Sequence, residues 1–407
     1  MVSNVMPLDV DALRAAFPAL AGPTAYFDGP GGTQTPSAVG EAISRTLTAP
    51  LSNRGTGSTS QRNAGEAVRA FRTAYADLLG GVPDGIVHGR SATQLTYDFS
   101  RALAQTWAQG DNVVVSRLDH DANVRPWVQA AERRGVEVRW LEVEPTTAEL
   151  DLGPLGTIVD ERTRVVAVTG ASNLLGTIPP LRTVADRAHA VGALLYVDAV
   201  HLTAHRLPDL ATLGADLLVC SPYKFFGPHC GVLAADPALL ETIHPDKLLP
   251  STDQVPDRFE LGTLPYEVLA GATAAVDFLA DLPGVVPTGG TRRERLEHTH
   301  TAVADHEAAL RGRLEAGLAD LGDRVVLHSR AADRTPTLFL TFPGRRSADV
   351  AQGLLERDVL APAGSFYAIE PFRALALDDD AGVRVGLAAY TDADEVDRLL
   401  DGLGTLV

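Results

Sequence analysis

The chain has 407 residues, of which 45% are hydrophobic and 21% are charged, a composition typical of a globular protein with enough chain for two domains. Its formal net charge of −17 argues against nucleic acid and against an anionic membrane surface as partners. No run of about 18 apolar residues occurs, so no transmembrane helix is expected. Two cysteines and a first segment without the pattern of a secretory signal favour a reducing, cytoplasmic location.

Hydrophobic periodicity predicts alternating helices and strands over the first part of the chain. The predicted elements are, in chain order, helices at 9–17, 37–48 and 64–80, a strand at 86–88 followed by a helix to about residue 109, a strand at 112–116, a helix at 128–135, strands at 136–143 and 163–168, a helix at 181–192, and strands at 194–197 and 217–220. Such alternation implies a mostly parallel sheet with helices on both faces.

The last part of the chain has a different pattern. A long predicted helix at 292–321 marks a change of domain. It is followed by predicted strands at 325–328, 337–342 and 383–387 and helices at 347–357 and 392–402. We therefore expect a large domain and a small α+β domain. The expected division is an N-terminal segment at 1–24 that packs with the small domain, a large cofactor-binding domain at 25–285, and a small domain at 286–407.

Two apolar runs in the large domain end on polar residues. The run Leu194-Leu195-Tyr196-Val197 ends on Asp198, and the run Leu217-Leu218-Val219-Cys220 leads through Ser221 to Lys224. Short apolar runs suit strands that are buried on both faces, and ligands bind at the carboxyl ends of such strands. A lysine can form a Schiff base with the aldehyde of pyridoxal phosphate (PLP), and a carboxylate can keep its pyridine nitrogen protonated. The alternative is an ordinary sheet in which a lysine happens to follow a strand.

These segments also carry a family resemblance. The motifs Val197-Asp198-Ala199-Val200-His201, Ser221-x-x-Lys224 and Gly227-Pro228 resemble the class V aminotransferases, which are fold-type I PLP enzymes. This family includes cysteine desulfurases, selenocysteine lyases, kynureninases and isopenicillin N epimerases. The resemblance implies an α/β fold with a large domain built on a mostly parallel, seven-stranded type of sheet plus a small α+β domain. It also implies PLP bound as a Schiff base on Lys224, with Asp198, His201, Ser221 and Tyr223 around the cofactor.

Further motifs extend the expected cofactor site. Residues Ala92 and Thr93 follow a short strand and open a helix, whose N-terminus suits an anion, and the resemblance implies that they hold the PLP phosphate. The segment around His120 resembles the family segment whose histidine stacks on the pyridine ring. The Ser-Asn-x-x-Gly motif at Asn173 implies a hydrogen bond to the phenolic oxygen of the cofactor. The motif ending on Thr263 implies a contact with the phosphate of a neighbouring subunit, and hence a homodimer.

Two residues are expected on the substrate side. The resemblance implies that Arg384, on a predicted strand of the small domain, binds the substrate carboxylate. A guanidinium suits this role because it gives two parallel hydrogen bonds. The polar, glycine-rich loop that contains Asn53 reaches toward the active site in the family. An exposed surface arginine is the alternative interpretation of Arg384.

The chain departs from the desulfurases at the residue that carries their chemistry. When the segment is aligned on Gly364 and Ala368, Tyr367 stands where the desulfurases have a catalytic cysteine. A phenol cannot accept sulfur as a persulfide, so we expect Tyr367 to line the substrate site in a different role. We expect Cys220 and Cys230 to be buried structural residues. The sequence thus predicts a desulfurase-like branch without the persulfide cysteine.

The shared chemistry leaves several reactions open. An amino acid would displace Lys224 from the cofactor, and the freed amine would take the α-proton. With a leaving group on Cβ the outcome is a lyase acting on a cysteine-like substrate, which we favour. An epimerase or racemase results if a second acid returns a proton to the substrate. Candidates for this acid are Tyr367, Tyr223 and His201. An aminotransferase results if the proton is transferred to the cofactor. A non-catalytic scaffold is the remaining alternative. The expected partners are an amino-acid substrate and a second copy of the chain, with no metal, nucleic acid or membrane.

Overall fold

The computed structural model describes residues 8–377 and 379–407. The helices are α1 (Val10–Arg14), α2 (Ser37–Thr48), α3 (Thr59–Leu79), α4 (Ala92–Ala104), α5 (Arg125–Arg134), α6 (Leu155–Ile158), α7 (Leu181–Ala190), α8 (Leu210–Leu213), α9 (Pro237–Thr242), α10 (Tyr266–Ala280), α11 (Arg292–Asp320), α12 (Ser347–Leu355), α13 (Ile369–Ala374) and α14 (Ala393–Leu406). The strands are β1 (Ala25–Tyr26), β2 (Ile86–Gly89), β3 (Asn112–Ser116), β4 (Glu137–Leu141), β5 (Val143–Glu144), β6 (Glu149–Leu150), β7 (Thr163–Thr169), β8 (Leu194–Asp198), β9 (Leu217–Cys220), β10 (Gly231–Ala235), β11 (Val326–Leu327), β12 (Thr337–Thr341), β13 (Val359–Leu360), β14 (Ala363–Gly364) and β15 (Gly382–Gly386).

A seven-stranded sheet forms the centre of the larger part of the molecule. Its strand order is β2-β10-β9-β8-β7-β3-β4. The run from β9 to β4 is parallel throughout, and β10 is antiparallel to both β2 and β9. Alternate residues of β8 enter different hydrophobic clusters, with Leu195 and Val197 in one and Tyr196 in the other. Since successive side chains of a strand point to opposite faces, the sheet is covered on both sides. The mostly parallel sheet predicted from the sequence is therefore present.

A second sheet organises the C-terminal part. Strands β11, β12, β15 and β14 lie side by side in this order, and every pair is antiparallel. Leu338 and Leu340 of β12 and Val383 and Val385 of β15 form a separate core with residues of α11, α12 and α14. This is the small α+β unit that the change in sequence pattern predicts.

The N-terminal residues contact both parts of the molecule. Asp9 donates its backbone N–H to Gly284 O at 2.9 Å, and Arg14 donates to Glu395 Oε2 at the same distance. Strand β1 pairs in parallel with β13, so the chain reaches the C-terminal part before it enters the large sheet. The exact domain boundaries remain a prediction.

Several elements differ from the sequence prediction at their ends. Helix α3 begins at Thr59 rather than 64, because Ser58 and Gln61 form a capping box that satisfies the first backbone N–H groups. Helix α4 ends at Ala104, before the predicted end near 109. The predicted strand at 136–143 is divided into β4 and β5, and α10, which packs against α2 and α3, has no counterpart in the prediction. Among the described residues, no helix is both long and apolar enough to cross a membrane.

Candidate active site

A cavity of about 640 Å³ lies at the carboxyl ends of the central strands. Thr169 ends β7, Asp198 ends β8 and Ser221 follows β9, and all three line it. Every predicted site residue except Asn53 and Thr263 also lines this cavity, namely Ala92, Thr93, His120, Asn173, Asp198, His201, Ser221, Tyr223, Lys224, Tyr367 and Arg384. The parallel sheet therefore gathers residues that are far apart in sequence, as expected for the carboxyl edge of an α/β sheet.

Lys224 lies on a short 3₁₀ turn directly after β9. Its Nζ donates hydrogen bonds to the backbone oxygens of Pro30 and, at 3.0 Å, of Gly31. Burial, with a smaller contribution from Arg384, lowers the pKa of Lys224 to about 7, although Asp198 raises it. A large fraction of the amine is thus unprotonated near neutral pH, which is the state that a nucleophile or general base requires.

Asp198 presents a carboxylate to the same cavity. Its Oδ1 accepts a hydrogen bond from the backbone N–H of Val200 at 2.9 Å. Burial raises the pKa of Asp198 to about 6, while this backbone hydrogen bond and Lys224 lower it. The group is therefore mainly ionised at pH 7, so it can balance a positive charge inside the cavity.

The N-terminus of α4 forms another wall. Ser91 is the N-cap, and its hydroxyl accepts from the backbone N–H of Gln94 at 3.1 Å. Ala92 and Thr93 are the first residues of the helix and face the cavity. A Cβ at Gly231 would lie 2.3 Å from the carbonyl carbon of Ser91, so this glycine allows the loop to approach the sheet closely. The result is a helix N-terminus suited to an anion.

His120 lies on the turn between β3 and α5. Its Nδ1 accepts from the backbone N–H of Ala122 at 3.0 Å, so in the neutral ring the proton is on Nε2. Burial, followed by the charge of Lys224, lowers the pKa of His120 to about 4. The ring is therefore neutral at pH 7 and stacks on Tyr367 with centroids 5.7 Å apart.

A buried network holds this turn in place. Asp119 is fully buried and accepts from Ser116 Oγ and, at 2.6 Å, from Asn123 Nδ2. Trp127 Nε1 donates to Asn123 Oδ1 at 3.2 Å. Burial raises the pKa of Asp119 to about 8. The sequence pattern predicts a role only for His120 in this segment, whereas the structure shows that Asp119 supports the turn that carries it.

Arg384 connects the small sheet to the cavity. It lies on β15, is almost fully buried, and donates from Nη1 to the backbone oxygen of Asn173 at 3.0 Å. Burial lowers the pKa of Arg384 to about 9, and Asp28 opposes this effect. The guanidinium remains positively charged at neutral pH and is available to an anionic group in the cavity.

His201 is fixed by the small sheet. Its Nε2 lies 3.1 Å from Thr335 Oγ1 and 3.0 Å from Thr337 Oγ1. Burial, with smaller contributions from His205, Lys224 and Arg384, lowers the pKa of His201 well below its ordinary value. The imidazole is thus neutral, and two hydroxyls from the C-terminal part determine its orientation.

Three residues of the cavity each retain one buried polar atom without a hydrogen-bond partner among the described residues. These atoms are Asn173 Oδ1, His201 Nδ1 and Arg384 Nε. Unpaired buried polar atoms are rare in folded proteins and are costly unless a ligand or water satisfies them. Their concentration here indicates that the cavity is built for a polar ligand.

The substrate side of the cavity is closed by residues 365–367. Phe366 and Tyr367 both have left-handed backbone conformations, with φ of 55° and 56°. For side chains of this size each such conformation costs of order 1–3 kcal/mol, so surrounding contacts must compensate. Asn173 Nδ2 donates to Phe366 O at 3.0 Å, and the backbone N–H of Asp121 donates to Tyr367 O at 2.8 Å. No signal in the sequence marked Phe366 as a site residue.

Asn53 and Thr263 lie outside the cavity. Thr263 Oγ1 is 3.5 Å from Asn53 Oδ1, and both residues are exposed. The structure therefore brings these two predicted site residues together but does not bring them to Lys224. A role for Thr263 in the site of a second subunit remains a prediction.

Both cysteines are buried in the main core, the hydrophobic cluster that includes Leu195 and Val197 of β8. Burial raises the pKa of Cys230 to about 12 and that of Cys220 well above its ordinary value. Neither residue lines the cavity. Their thiols are therefore protonated and inaccessible to a ligand beside Lys224, as expected for structural cysteines.

A lysine, a carboxylate and an arginine around one cavity at the carboxyl edge of a mostly parallel sheet define the site. The model of the family described as aminotransferase class-V matches residues 25–399. The chain belongs to this family, and its fold is the fold-type I architecture that the sequence resemblance implied.

The chain is similar to individual relatives over nearly its whole length. A cysteine desulfurase of Dickeya dadantii is 32% identical over 431 residues, which covers 97% of this chain and 96% of the relative. An uncharacterized protein of Mycobacterium tuberculosis is 30% identical over 403 residues, covering 98% of this chain and all of the relative. The crystal structure of the cysteine desulfurase CsdA from Escherichia coli superposes with a TM-score of 0.85 at 24% identity and covers 98% of each chain, which is a likeness in fold.

Proposed function

We propose that the chain is a PLP-dependent enzyme that binds its cofactor as a Schiff base on Lys224 and acts as a lyase on a cysteine-like amino acid. One observation carries this proposal. Lys224, whose pKa is lowered to about 7, shares a cavity with Asp198 and Arg384, and none of the described residues that line this cavity carries a thiol. The set can capture an amino acid and remove its α-proton, but it offers no acceptor for a persulfide.

The residues of the cavity fit PLP. The α4 N-terminus suits the phosphate, and Asp198 suits a protonated pyridine nitrogen. The unpaired Asn173 Oδ1 can accept a hydrogen bond from the cofactor's phenol in its protonated form, and the unpaired His201 Nδ1 offers a further polar contact in the same cavity. His120 is neutral and lines the same cavity, where its ring already stacks on Tyr367. When bound, PLP supplies an aldehyde for covalent capture and a ring that stabilises negative charge on the substrate Cα.

The protein groups then perform the proton chemistry. Arg384 holds the substrate carboxylate through two parallel hydrogen bonds and so orients the Cα–H bond. Lys224 Nζ, unprotonated near neutral pH, takes the α-proton. Asp198 stays ionised and balances the proton on the ring nitrogen. A thiol or similar group on Cβ can then leave with the electrons of its bond.

Tyr367 favours a second candidate, an amino-acid epimerase or racemase. Its phenol lies in the same cavity as Lys224 and its ring stacks on His120. A site with two proton-carrying groups can remove a proton with one and return it with the other. Transamination is a third outcome of the same proton removal.

We also propose that the enzyme is a cytoplasmic homodimer in which Thr263 and Asn53 complete the neighbouring site. Leu249 is 98% exposed, and Leu248 and Leu261 are exposed by 66% and 56%, all near Thr263 in sequence. Exposed large apolar side chains are typical of an interface. Sedimentation of the purified protein tests this proposal, and a monomer at the concentrations used for assay would contradict it.

A product assay tests the reaction. Purified PLP-loaded protein is incubated with L-cysteine, L-cystine and L-cysteine sulfinate. Sulfide with pyruvate from L-cysteine, or thiocysteine with pyruvate from L-cystine, supports the lyase, because in both cases sulfur leaves with the electrons of its bond to Cβ. Sulfide with alanine from L-cysteine, or sulfite with alanine from L-cysteine sulfinate, contradicts it. Exchange of the α-proton with deuterated solvent, without formation of sulfide, sulfite, pyruvate or alanine, supports the epimerase. A Cys220→Ala, Cys230→Ala double variant is the matched control, because a lyase that needs no protein thiol retains its activity.

A further inference from the structure

The ring of Phe366 covers one face of the Arg384 guanidinium. The Cζ of Arg384 lies 3.8 Å from the centroid of this ring. Arginine stacks favourably on aromatic faces, and the attraction increases when the pair is shielded from water. Arg384 is buried and Phe366 is partly buried against the main core, so the contact is shielded. The guanidinium is therefore restricted to one plane.

The other contacts of Arg384 leave one edge of that plane available. Nη1 donates to the backbone oxygen of Asn173, and Nε has no partner within the described part of the chain. Nη2 faces Gly31, where an added Cβ would lie 3.4 Å away. The glycine leaves space beside Nη2. A carboxylate that approaches this space can accept from Nε and Nη2 in parallel.

The backbone prevents Phe366 from moving away easily. Its carbonyl accepts from Asn173, the next carbonyl accepts from the backbone N–H of Asp121, and both residues are in left-handed conformations. These hydrogen bonds hold the Phe366 ring beside the space next to Nη2 of Arg384. Tyr367, from the same loop, adds a second ring at the mouth of the cavity.

We propose that Phe366 is a specificity-determining residue that selects α-amino acids with a short, sulfur-bearing β-substituent. This inference rests on the proposed function, since it places the substrate carboxylate on the free edge of Arg384. The Cβ substituent then lies beside the two aromatic rings. Sulfur makes favourable contacts with aromatic ring edges. A carboxylate side chain such as that of glutamate cannot make this sulfur–aromatic contact.

The first experiment tests whether Phe366 shields Arg384, and it requires neither cofactor nor activity. Apoprotein is treated with phenylglyoxal, which modifies exposed guanidinium groups, and the peptide that contains Arg384 is followed by mass spectrometry. We expect faster modification of Arg384 in Phe366→Ala than in the wild type, with Phe366→Leu in between because leucine keeps an apolar cover. Equal rates in all three proteins would overturn the inference.

The second experiment tests selection. Binding of S-methyl-L-cysteine and of L-glutamate to the PLP-loaded protein is measured from the change in cofactor absorbance. In Phe366→Ala the preference for S-methyl-L-cysteine should fall about tenfold, the loss that corresponds to a sulfur–aromatic contact at the upper end of its range. An unchanged preference overturns the inference alone. A wild-type protein that binds neither amino acid overturns the proposed function together with it.

Discussion

The two walls of the cavity are built on different principles. The cofactor wall consists of strand ends, with Asp198 on β8 and Lys224 just after β9, and its geometry follows from the buried parallel sheet. The substrate wall consists of Arg384 on the small sheet and a strained loop with Phe366, which is held by hydrogen bonds from Asn173 and Asp121 in the segments that follow β7 and β3. The first wall is rigid because of its own core, whereas the second depends on contacts between the two parts.

This difference separates two properties of the enzyme. Changes in the substrate wall can alter which amino acid is accepted while the strand ends stay in place. Changes in the strand ends would remove the proposed cofactor chemistry for every substrate. The following predictions test whether the two walls can be disturbed independently.

The largest effect on activity is expected for Lys224→Arg, which removes the reactive amine from the cofactor wall. An arginine keeps a long basic side chain at this position, but it stays protonated and cannot form a Schiff base. Turnover should fall by at least about 10²–10⁴-fold, the usual contribution of a positioned acid–base group. Borohydride reduction followed by peptide mass spectrometry should find PLP on the peptide of Lys224 in the wild type and not in the variant. Lys247→Arg, which changes a lysine paired with Asp253, is the control and should behave as the wild type.

Arg384→Lys should disturb only the substrate wall. An ammonium cannot reproduce the parallel pair of hydrogen bonds to a carboxylate. Loss of one charged hydrogen bond, about 1.5–3 kcal/mol, corresponds to a KM about 10- to 100-fold higher. The dissociation constant of PLP should stay unchanged, and titration of apoprotein measures it. Equal losses in cofactor and substrate affinity would show that the walls are not separable. Arg373→Lys, at an exposed position, is the matched control.

The contrast between the walls also explains what the sequence could predict. The apolar runs before Asp198 and Lys224 identify buried strands, and strand ends of a parallel sheet meet at one edge, so the cofactor wall follows from local pattern and topology. The position of α4 at a candidate anion site follows in the same way. The seven-stranded sheet itself is recognisable because its strands alternate with helices.

The substrate wall was less accessible to prediction. Phe366 carries no local signal, because its role arises from a left-handed backbone and from Arg384 on another strand. Thr335 and Thr337 contact His201 only after the small sheet packs against the large one. Contacts of this kind depend on tertiary geometry, which periodicity and motif spacing do not determine.

Without cofactor, the stability of the folded protein should depend on the protonation of Lys224. The pKa of Lys224 is about 7 in the folded protein against an ordinary value of 10.5. Between these values the unfolded chain holds a proton that the folded chain lacks, so raising the pH from about 7 to about 10 stabilises the folded wild type. Methionine does not titrate, so in Lys224→Met folding does not require the loss of a proton. Its apoprotein should therefore be more stable than the wild type by a few kcal/mol at pH 7, at about 1.4 kcal/mol per pKa unit.

Denaturant unfolding at a series of pH values measures this difference. The advantage of Lys224→Met should shrink steadily toward pH 10, and a constant difference would contradict the assigned cause. The variant also deprives Asp198 of a neighbouring positive charge, which works against the gain. Adding Asp198→Asn to both proteins removes that contribution, so the double comparison isolates the lysine.

The smallest effect is expected where the two walls meet. Thr337→Val removes one of the two hydroxyls that hold His201 Nε2 while keeping the shape of the side chain. Because Thr335 still contacts the same nitrogen, the loss should be near the average for one hydrogen bond, about 1 kcal/mol in the free energy of unfolding. Thr341→Val removes a comparable 2.8 Å contact with His328, away from the cavity, and is the matched control. If the two walls are coupled through His201, Thr337→Val should also shift the absorbance of the bound cofactor, and Thr341→Val should not. If both variants have the cofactor spectrum of the wild type, the contact between Thr337 and His201 only supports packing.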